Sequence, residues 1–136
     1  MDFEVKTLAS LPFHISDRLS KPVLFQRCRA TGADEFSSQE LFEEIRVISL
    51  GLSALGVQPG DRVALISDTR PEWVIADLAI LSAGAVTVPL YPTLASEQIF
   101  EILNDAKVRF AIVAGEAEAA KVRSVLQTLP QLEIVA

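Results

Sequence analysis

The chain has 136 residues, half of them hydrophobic and 22% charged, which is enough for one globular domain with a buried core. Its formal net charge is −6 and it has no basic run, which argues against nucleic-acid binding, since that depends on Lys and Arg neutralising phosphates. The single cysteine, Cys28, excludes an internal disulfide and a cysteine-rich metal site, and the first residues carry no apolar signal core, so we expect a cytoplasmic protein.

Residues 1–37 predict an N-terminal extension that contains a small β-hairpin. The first twenty residues have no clear period, and Pro12 limits any helix there. Residues 23–25 are typical of a short strand, residues 31–34 of a turn, and residues 35–37 of a strand that pairs back. The main α/β unit is expected to follow, over residues 38–136.

A capping box predicts where the first long helix begins. The Ser37 hydroxyl can accept a backbone N–H, and Glu40, three positions on, can reach back to the start of the helix. Apolar residues then recur at steps of four, three, four and three: Leu41, Ile45, Ile48, Leu52 and Leu55. This spacing is one face of an α-helix, and Gly56 is expected to end it as a C′ residue.

The next segment predicts two buried strands joined by a helix. Pro59 and Gly60 suit the second and third positions of a type II turn. Residues 63–66 form a continuous apolar run, which is typical of a parallel strand buried on both faces, and residues 85–88 are expected to form a second core strand. Pro89 is expected to close the second strand, because proline cannot donate to a ladder.

The helix between these strands is apolar nearly all round, which predicts burial on most sides. We expect Asp68 or Thr69 to cap it, Pro71 to lie in its first turn, Trp73 to pack in the core and Gly84 to end it.

Residues 78–96 carry no charge and nominally reach the length of a membrane span. Gly84, Pro89 and Pro92 interrupt this stretch, so two buried elements that meet at a turn explain it better. We therefore expect no transmembrane segment.

The remainder of the chain repeats the alternation of helix and strand. Ser96 is expected to cap a third helix, residues 108–113 to form a third strand, and Gly115 to precede a helix that Pro130 ends. Residues 132–135 predict a fourth strand. The alternation indicates a parallel α/β sheet with right-handed crossovers, in a single partial domain that we expect to be truncated at its C-terminus.

The strand ends carry no recognisable catalytic motif. Gly51 to Gly56 matches part of a phosphate-binding loop but lacks the Lys-Ser/Thr that must follow, and neither G-x-G-x-x-G nor G-x-S-x-G occurs. His14 has no assigned partner, and for the hydroxyls of Tyr91 and Thr93 a role in stabilising their loop is favoured over substrate contact. We expect no catalytic, cofactor-binding or metal residue in this chain; substrate-binding residues are not defined by the sequence.

Three stretches, residues 60–67, 70–79 and 84–93, resemble the N-terminal part of adenylate-forming enzymes, the acyl-CoA synthetases and their relatives. The Arg-Pro-Glu-Trp at residues 70–73 and the Tyr-Pro-Thr at residues 91–93 look most like the long-chain fatty acid–CoA ligases. The resemblance covers the chain from about residue 22 to its end. It implies that the sheet is part of the large N-terminal domain of such an enzyme.

The resemblance also implies a parent enzyme that uses ATP, Mg²⁺ and CoA on a fatty acid and is compatible with peripheral membrane attachment of that parent. The family's Ser/Thr/Gly-rich phosphate loop with its lysine, its ribose-binding acid and its C-terminal lysine do not occur here. We therefore expect an inactive scaffold fragment that binds no cofactor and whose partner is the remainder of the parent. The alternative is a stand-alone α/β module that self-associates through exposed apolar surface, which the mean hydropathy of +0.35 favours.

Overall fold

The computed structural model describes residues 5–135, and its first elements are a short helix and a β-hairpin. A 3₁₀ turn at Leu8–Ser10 leads into α1 (Leu11–Arg18), whose first turn tolerates Pro12 because no intrahelical donor is needed there. The predicted hairpin is confirmed: β1 (Phe25–Cys28) pairs antiparallel with β2 (Ala33–Phe36). Both strands begin two residues from their predicted starts. Residues 1–4 of the predicted extension lie outside the described residues.

Helix α2 (Ser38–Ala54) begins at the predicted capping box. The Glu40 N–H donates to Ser37 Oγ (3.1 Å) and the Ser37 N–H donates to Glu40 Oε2 (2.8 Å). Most of the predicted apolar face is buried or half-buried, and Gly56 follows the helix as expected. Leu55 is an exception: it is the C-cap residue of α2 and is 57% exposed.

The main sheet has four parallel strands in the order β4-β3-β5-β6. These are β3 (Arg62–Ile66), β4 (Val86–Leu90), β5 (Phe110–Val113) and β6 (Glu133–Val135). The predicted parallel α/β sheet is thus confirmed. Strand β5 starts two residues later than predicted, because the Val108 N–H donates to the Leu103 carbonyl and closes the preceding helix.

Helices cover both faces of the sheet. Helices α2 and α3 (Pro71–Ser82) lie on one face, and α4 (Ser96–Asp105) and α5 (Glu116–Val125) lie on the other. Strand β3 alternates between the two: Val63 and Leu65 pack toward α2 and α3. Ala64 and Ile66 pack toward α4 and α5. The connection from β3 to β4 runs in the opposite direction to that from β4 to β5, so right-handed crossovers place α3 and α4 on opposite faces.

Two predicted helix caps are wrong. The residue before α3 is Arg70, in extended conformation and without a side-chain cap, so neither Asp68 nor Thr69 fills that position. The residue before α4 is Ala95, and Ser96 is the first helical residue; the Ala95 N–H donates instead to Gln98 Oε1 (3.1 Å). Each shift moves the helix start by one or two residues and leaves its buried face unchanged.

Pro89 lies inside β4 and does not close it, contrary to prediction. The Val86 N–H donates to the Asp61 carbonyl (2.8 Å), so the N–H groups of Val86, Val88 and Leu90 point toward β3. The nitrogen of Pro89 therefore points to the free edge of the sheet, where no ladder bond is lost. Helix α3 ends at Ser82, and within residues 5–135 no helix is both long and apolar enough to cross a membrane.

Two tight turns contact each other at the amino ends of β3 and β4. The Asp61 N–H donates to the Gln58 carbonyl (3.0 Å), and Gly60 has a φ of +87°, as the predicted type II turn requires. The carbonyl of Gly84 accepts from the Gly60 N–H (2.9 Å). A Cβ added to Gly84 would lie 3.2 Å from Pro59 Cβ, so the absence of a side chain allows the turns to touch.

Candidate functional site

The strand order creates a topological switch point between β3 and β5. After β3 the chain turns to α3 on one face, and after β5 it turns to α5 on the other face. In parallel α/β sheets, ligands bind in the crevice beyond the carboxyl ends of two such strands. A cleft of about 430 Å³ lies at this position, and we refer to it as the switch-point cleft.

The walls of the switch-point cleft are mostly apolar. Helix α2 and its C-cap residue contribute Gly51 and Leu55, α3 contributes Trp73, and the sheet contributes Leu65 and Ile112. These side chains come from four separate elements, and the pairing of Leu65 with Ile112 across β3 and β5 brings them together. The cleft can therefore hold an aliphatic or aromatic group of moderate size.

The charged groups of the cleft lie where α3 begins. Arg70 Nε donates to Glu72 Oε2 (2.8 Å), and Arg27 of the hairpin forms an ion pair with the same carboxylate. Next to it, the Arg29 guanidinium donates to Asp34 and holds the pKa of that carboxyl below its ordinary value. The hairpin is thus tied to the start of α3, and Arg70 stands at the edge of the cleft with one of its N–H groups engaged.

A second cleft, of about 410 Å³, lies between the carboxyl ends of β3 and β4. Trp73 forms a wall of both clefts, which explains why this ring packs against the core yet is half-buried, not enclosed as predicted. Asp68 is the charged residue that the described chain contributes to the second cleft. The charged residues therefore differ between the clefts: the ion-paired Arg70 and Glu72 border the first, and Asp68 borders the second.

Of the two predicted hydroxyl candidates, Tyr91 lines the second cleft, and Thr93 is not among the residues that line either cleft. Tyr91 is 78% exposed, and within residues 5–135 neither its hydroxyl nor that of Thr93 makes a hydrogen bond. Their loop is held instead by Lys121, whose Nζ donates to the carbonyls of Pro92 (2.5 Å) and Leu94 (3.0 Å). Sequence reasoning missed Lys121, because only folding brings α5 beneath this loop.

Two further candidates lie away from the clefts. His14 is half-buried in α1, and within the described part of the chain its Nδ1 has no hydrogen-bond partner. Cys28 is exposed at the end of β1.

The residues at the strand ends do not fit ATP or Mg²⁺. The loop after β3 carries Asp68, which would repel a triphosphate, and the loop after β5 is the short Ala114-Gly115. Among residues 5–135, no three His, Cys, Asp or Glu side chains are grouped in a way that could hold a metal ion. We assign no step of nucleotide chemistry to these residues.

The sequence is similar to a family of enzymes over most of its length. The family described as AMP-binding enzyme matches residues 17–136. The long-chain-fatty-acid–CoA ligase FadD15 of Mycobacterium bovis is 39% identical over 113 residues, which are 83% of this chain and 19% of that protein. A Mycobacterium tuberculosis propanoyl:CoA ligase, whose acyl group carries a methyl-dioxo-octahydroindenyl ring system, is 40% identical over 80 residues, 59% of this chain and 16% of that protein.

The fold is also found in solved structures. The crystal structure of the anthranilate CoA ligase AuaEII, in complex with anthranoyl-AMP, superposes with a TM-score of 0.80 at 24% identity. The superposition covers 98% of this chain and 26% of that one. The likeness confirms the predicted fold. The chain spans about a fifth of the length of the curated relatives it matches.

Proposed function

We propose that this chain, which belongs to the family of AMP-binding enzymes, is the N-terminal scaffold portion of an ATP-dependent fatty acid–CoA ligase. The resemblance drawn from residues 60–93 is confirmed at the level of the family. In the parent reaction, a fatty acid and ATP form an acyl-adenylate with release of pyrophosphate, and the thiol of CoA then takes the acyl group. Mg²⁺ shields the phosphates in that reaction.

The observation that carries this proposal is the 39% identity to a long-chain-fatty-acid–CoA ligase over 83% of the chain. The similar identity to a ligase for a ring-bearing propanoyl group supports the CoA ligase reaction without favouring one acid. Long-chain fatty acids are proposed as the substrates because the Arg-Pro-Glu-Trp at residues 70–73 and the Tyr-Pro-Thr at residues 91–93 look most like that branch. The proposed location is the cytoplasm, with the parent peripheral to the membrane.

The role proposed for the 136 residues is to supply part of a sheet and its flanking helices, as one partial α/β domain. Two observations support the proposal that they are inactive alone. The sequence contains no Ser/Thr/Gly-rich loop with a lysine, and the loop after β3 carries the acidic residue Asp68. The remainder of the parent is the proposed partner of this chain.

ATP–pyrophosphate exchange with hexadecanoate tests the proposal. The purified 136-residue chain should give no exchange, whereas the product of the complete reading frame should give exchange and form hexadecanoyl-CoA. Sequencing past the codon for Ala136 should reveal a Ser/Thr/Gly-rich loop with a lysine. Exchange by the 136-residue chain alone, or a complete reading frame that fails to ligate any acid, would refute the proposal.

A second candidate function is self-association as a stand-alone module. Helix α2 exposes the apolar side chains of Val47 (59%) and Leu50 (58%), and its C-cap residue Leu55 is 57% exposed. Such surfaces often mark an interface. Sedimentation equilibrium should then show a mass that rises with concentration, and Leu50→Lys should return the chain to a monomer. A stop codon directly after Ala136 would favour this candidate, and a monomer at all concentrations would exclude it.

A further inference from the structure

We propose that the second cleft, between the carboxyl ends of β3 and β4, binds a quaternary ammonium group. Trp73 and Tyr91 supply its aromatic contacts, and the Asp68 carboxylate balances its charge. This goes beyond the proposed function, because an organic cation is neither the acid, the nucleotide nor the thiol of the ligase reaction.

Two aromatic residues line the second cleft. Trp73 lies in the first turn of α3 and is half-buried, and Tyr91 follows β4 and is 78% exposed. The face of an aromatic ring attracts a cation, most strongly at tryptophan, and quaternary ammonium groups are commonly bound by such rings. The volume of the cleft, about 410 Å³, lies within the range of roughly 300–1,000 Å³ that is typical of ligand pockets. The cleft is therefore large enough for a trimethylammonium group.

Asp68 supplies the negative charge of the second cleft. Its backbone carbonyl accepts from Ser67 Oγ (2.9 Å), but within residues 5–135 its carboxylate has neither a hydrogen bond nor an ion pair. Arg70, two positions further along the chain, is paired with Glu72 and does not line this cleft. Lys121 is bonded to two carbonyls of the loop after β4 and does not line it either. The Asp68 carboxylate is therefore available to pair with a cation.

Two prolines make the second cleft a poor site for an anion. Anions are held by hydrogen-bond donors, and Pro89 and Pro92 have no backbone N–H. The Leu90 N–H points toward β3 inside the sheet, so Tyr91 carries the one backbone donor that residues 89–92 can offer. The net charge of −6 adds a negative field around the chain. Among charged ligands, the lining of this cleft therefore favours a cation.

The indole N–H of Trp73 gives a single NMR signal that reports on binding, because Trp73 is the only tryptophan of the chain and lines the cleft. We would titrate the 136-residue chain with choline and, separately, with its uncharged isostere, in which carbon replaces the quaternary nitrogen. The expected results are a saturable shift of this signal with choline and binding of the isostere that is about tenfold weaker. No saturable shift with choline, or equal binding of the two compounds, would overturn the proposal.

Asp68→Asn and Asp105→Asn form a matched pair of variants. Each removes one negative charge, but Asp68 lines the cleft, whereas Asp105 is exposed at the end of α4 and does not line it. Asp68→Asn should weaken choline binding about fivefold and leave binding of the isostere unchanged, whereas Asp105→Asn should stay within about twofold of the unsubstituted chain. Equal effects of the two variants on choline binding would show that Asp68 does not hold the ammonium group.

Tyr91→Phe and Tyr91→Leu test the aromatic contact. Tyr91 is largely exposed, so we expect both variants to fold, and the dispersion of their NMR spectra verifies this. Phenylalanine keeps the ring and should bind choline within about twofold of the unsubstituted chain, whereas leucine should weaken binding about fourfold. Equal binding by the two variants would show that the ring of Tyr91 makes no cation contact.

Quaternary ammonium groups occur in free choline and in the headgroup of phosphatidylcholine, and the same titration distinguishes these sources. If a short-chain phosphatidylcholine below its micelle concentration also shifts the Trp73 signal, the cleft accepts the lipid headgroup; a shift with choline alone identifies a soluble ligand. A shift with the lipid but not with choline would overturn the proposal. None of these assays contains ATP, CoA or a fatty acid, so a negative result would leave the proposed ligase parent untouched.

Discussion

We expect Gly84→Ala to destabilise the protein more than Gly56→Ala, although both residues end a helix in the same way. In each case the residue after the C-cap has positive φ, +79° for Gly84 and +95° for Gly56. The hydrogen bonds are equivalent: the N–H of the next residue, Ala85 or Val57, donates to the carbonyl five positions earlier (3.1 Å and 3.0 Å). The two sites differ in what surrounds the missing side chain.

The backbone term is common to both substitutions. An L-residue in the left-handed region costs about 1–2 kcal/mol, and alanine recovers about 0.4–1 kcal/mol by restricting the unfolded chain. At Gly56 an added Cβ meets no atom of the described residues within 4 Å, so we expect a net loss of about 1 kcal/mol. At Gly84 the Cβ would lie 3.2 Å from Pro59 Cβ, and the bond from the Gly60 N–H prevents the two turns from separating. The loss there should be about 2 kcal/mol.

Helix α4 provides the reverse experiment. At its end the Val108 N–H donates to the Leu103 carbonyl, five positions earlier as in the other two helices, but the residue with positive φ (+51°) is Lys107. Lys107→Gly should therefore stabilise the protein by about 0.5–1 kcal/mol, the left-handed penalty less the entropy cost of glycine. Gly51→Ala, in the helical region, should also stabilise it by about 0.5–1 kcal/mol.

Urea unfolding followed by circular dichroism and by Trp73 fluorescence measures all four variants. The two probes should give coincident transitions, and the slope of free energy against urea should not change. Equal losses for Gly84→Ala and Gly56→Ala would show that the Pro59 contact relaxes at no cost. A destabilising Lys107→Gly would refute the assignment of backbone strain to that helix end.

Four other residues yield predictions. Ser37→Ala should cost about 1 kcal/mol in urea unfolding through loss of the α2 cap. The hydrogen bond from the Ser37 N–H lowers the pKa of Glu40 in the folded protein. The stability that the Glu40 carboxylate contributes is therefore complete above its unfolded-state pKa and is lost as pH falls through its folded-state pKa. Glu40→Gln should accordingly reduce the loss of stability at acid pH. Trp73→Ala should cost about 2 kcal/mol, less than a fully buried tryptophan, and a loss below about 1 kcal/mol would place it on the surface. Lys121→Met should speed hydrogen exchange of the Leu94 amide, whose N–H donates within the loop that Lys121 holds; unchanged exchange would contradict that role.

The features that could be predicted from the sequence are those that a few neighbouring residues determine. The capping box at Ser37 and Glu40, the turn at Pro59 and Gly60, and the helix end at Gly56 each depend on contacts within about five positions, and all three are confirmed. Local signals failed before α3, where several consecutive polar residues could each occupy the N-cap position. The backbone direction decides which of them occupies the cap, and tertiary packing sets that direction.

The candidate site depends on strand order, which the sequence does not reveal. The apolar runs of β3 and β5 look alike, and nothing local states that Val63 pairs with Phe110. Without that pairing there is no switch point, and Arg70 could not be placed beside Gly51. Lys107 was missed for another reason: a lysine gives no sign that its backbone is left-handed, as a glycine at the same position would.

The position of Pro89 determines how this sheet can be extended. An edge strand offers its unpaired N–H groups to any passing strand, and this is how sheets join between molecules and aggregate. On the outward side of β4 the nitrogen of Pro89 lies between those of Thr87 and Tyr91 and carries no hydrogen. An added strand would therefore find no N–H donor at residue 89. A strand added at this edge would therefore lack one ladder hydrogen bond, which disfavours growth of the sheet on the β4 side. Replacing Pro89 with valine would keep the pairing to β3 and remove this protection.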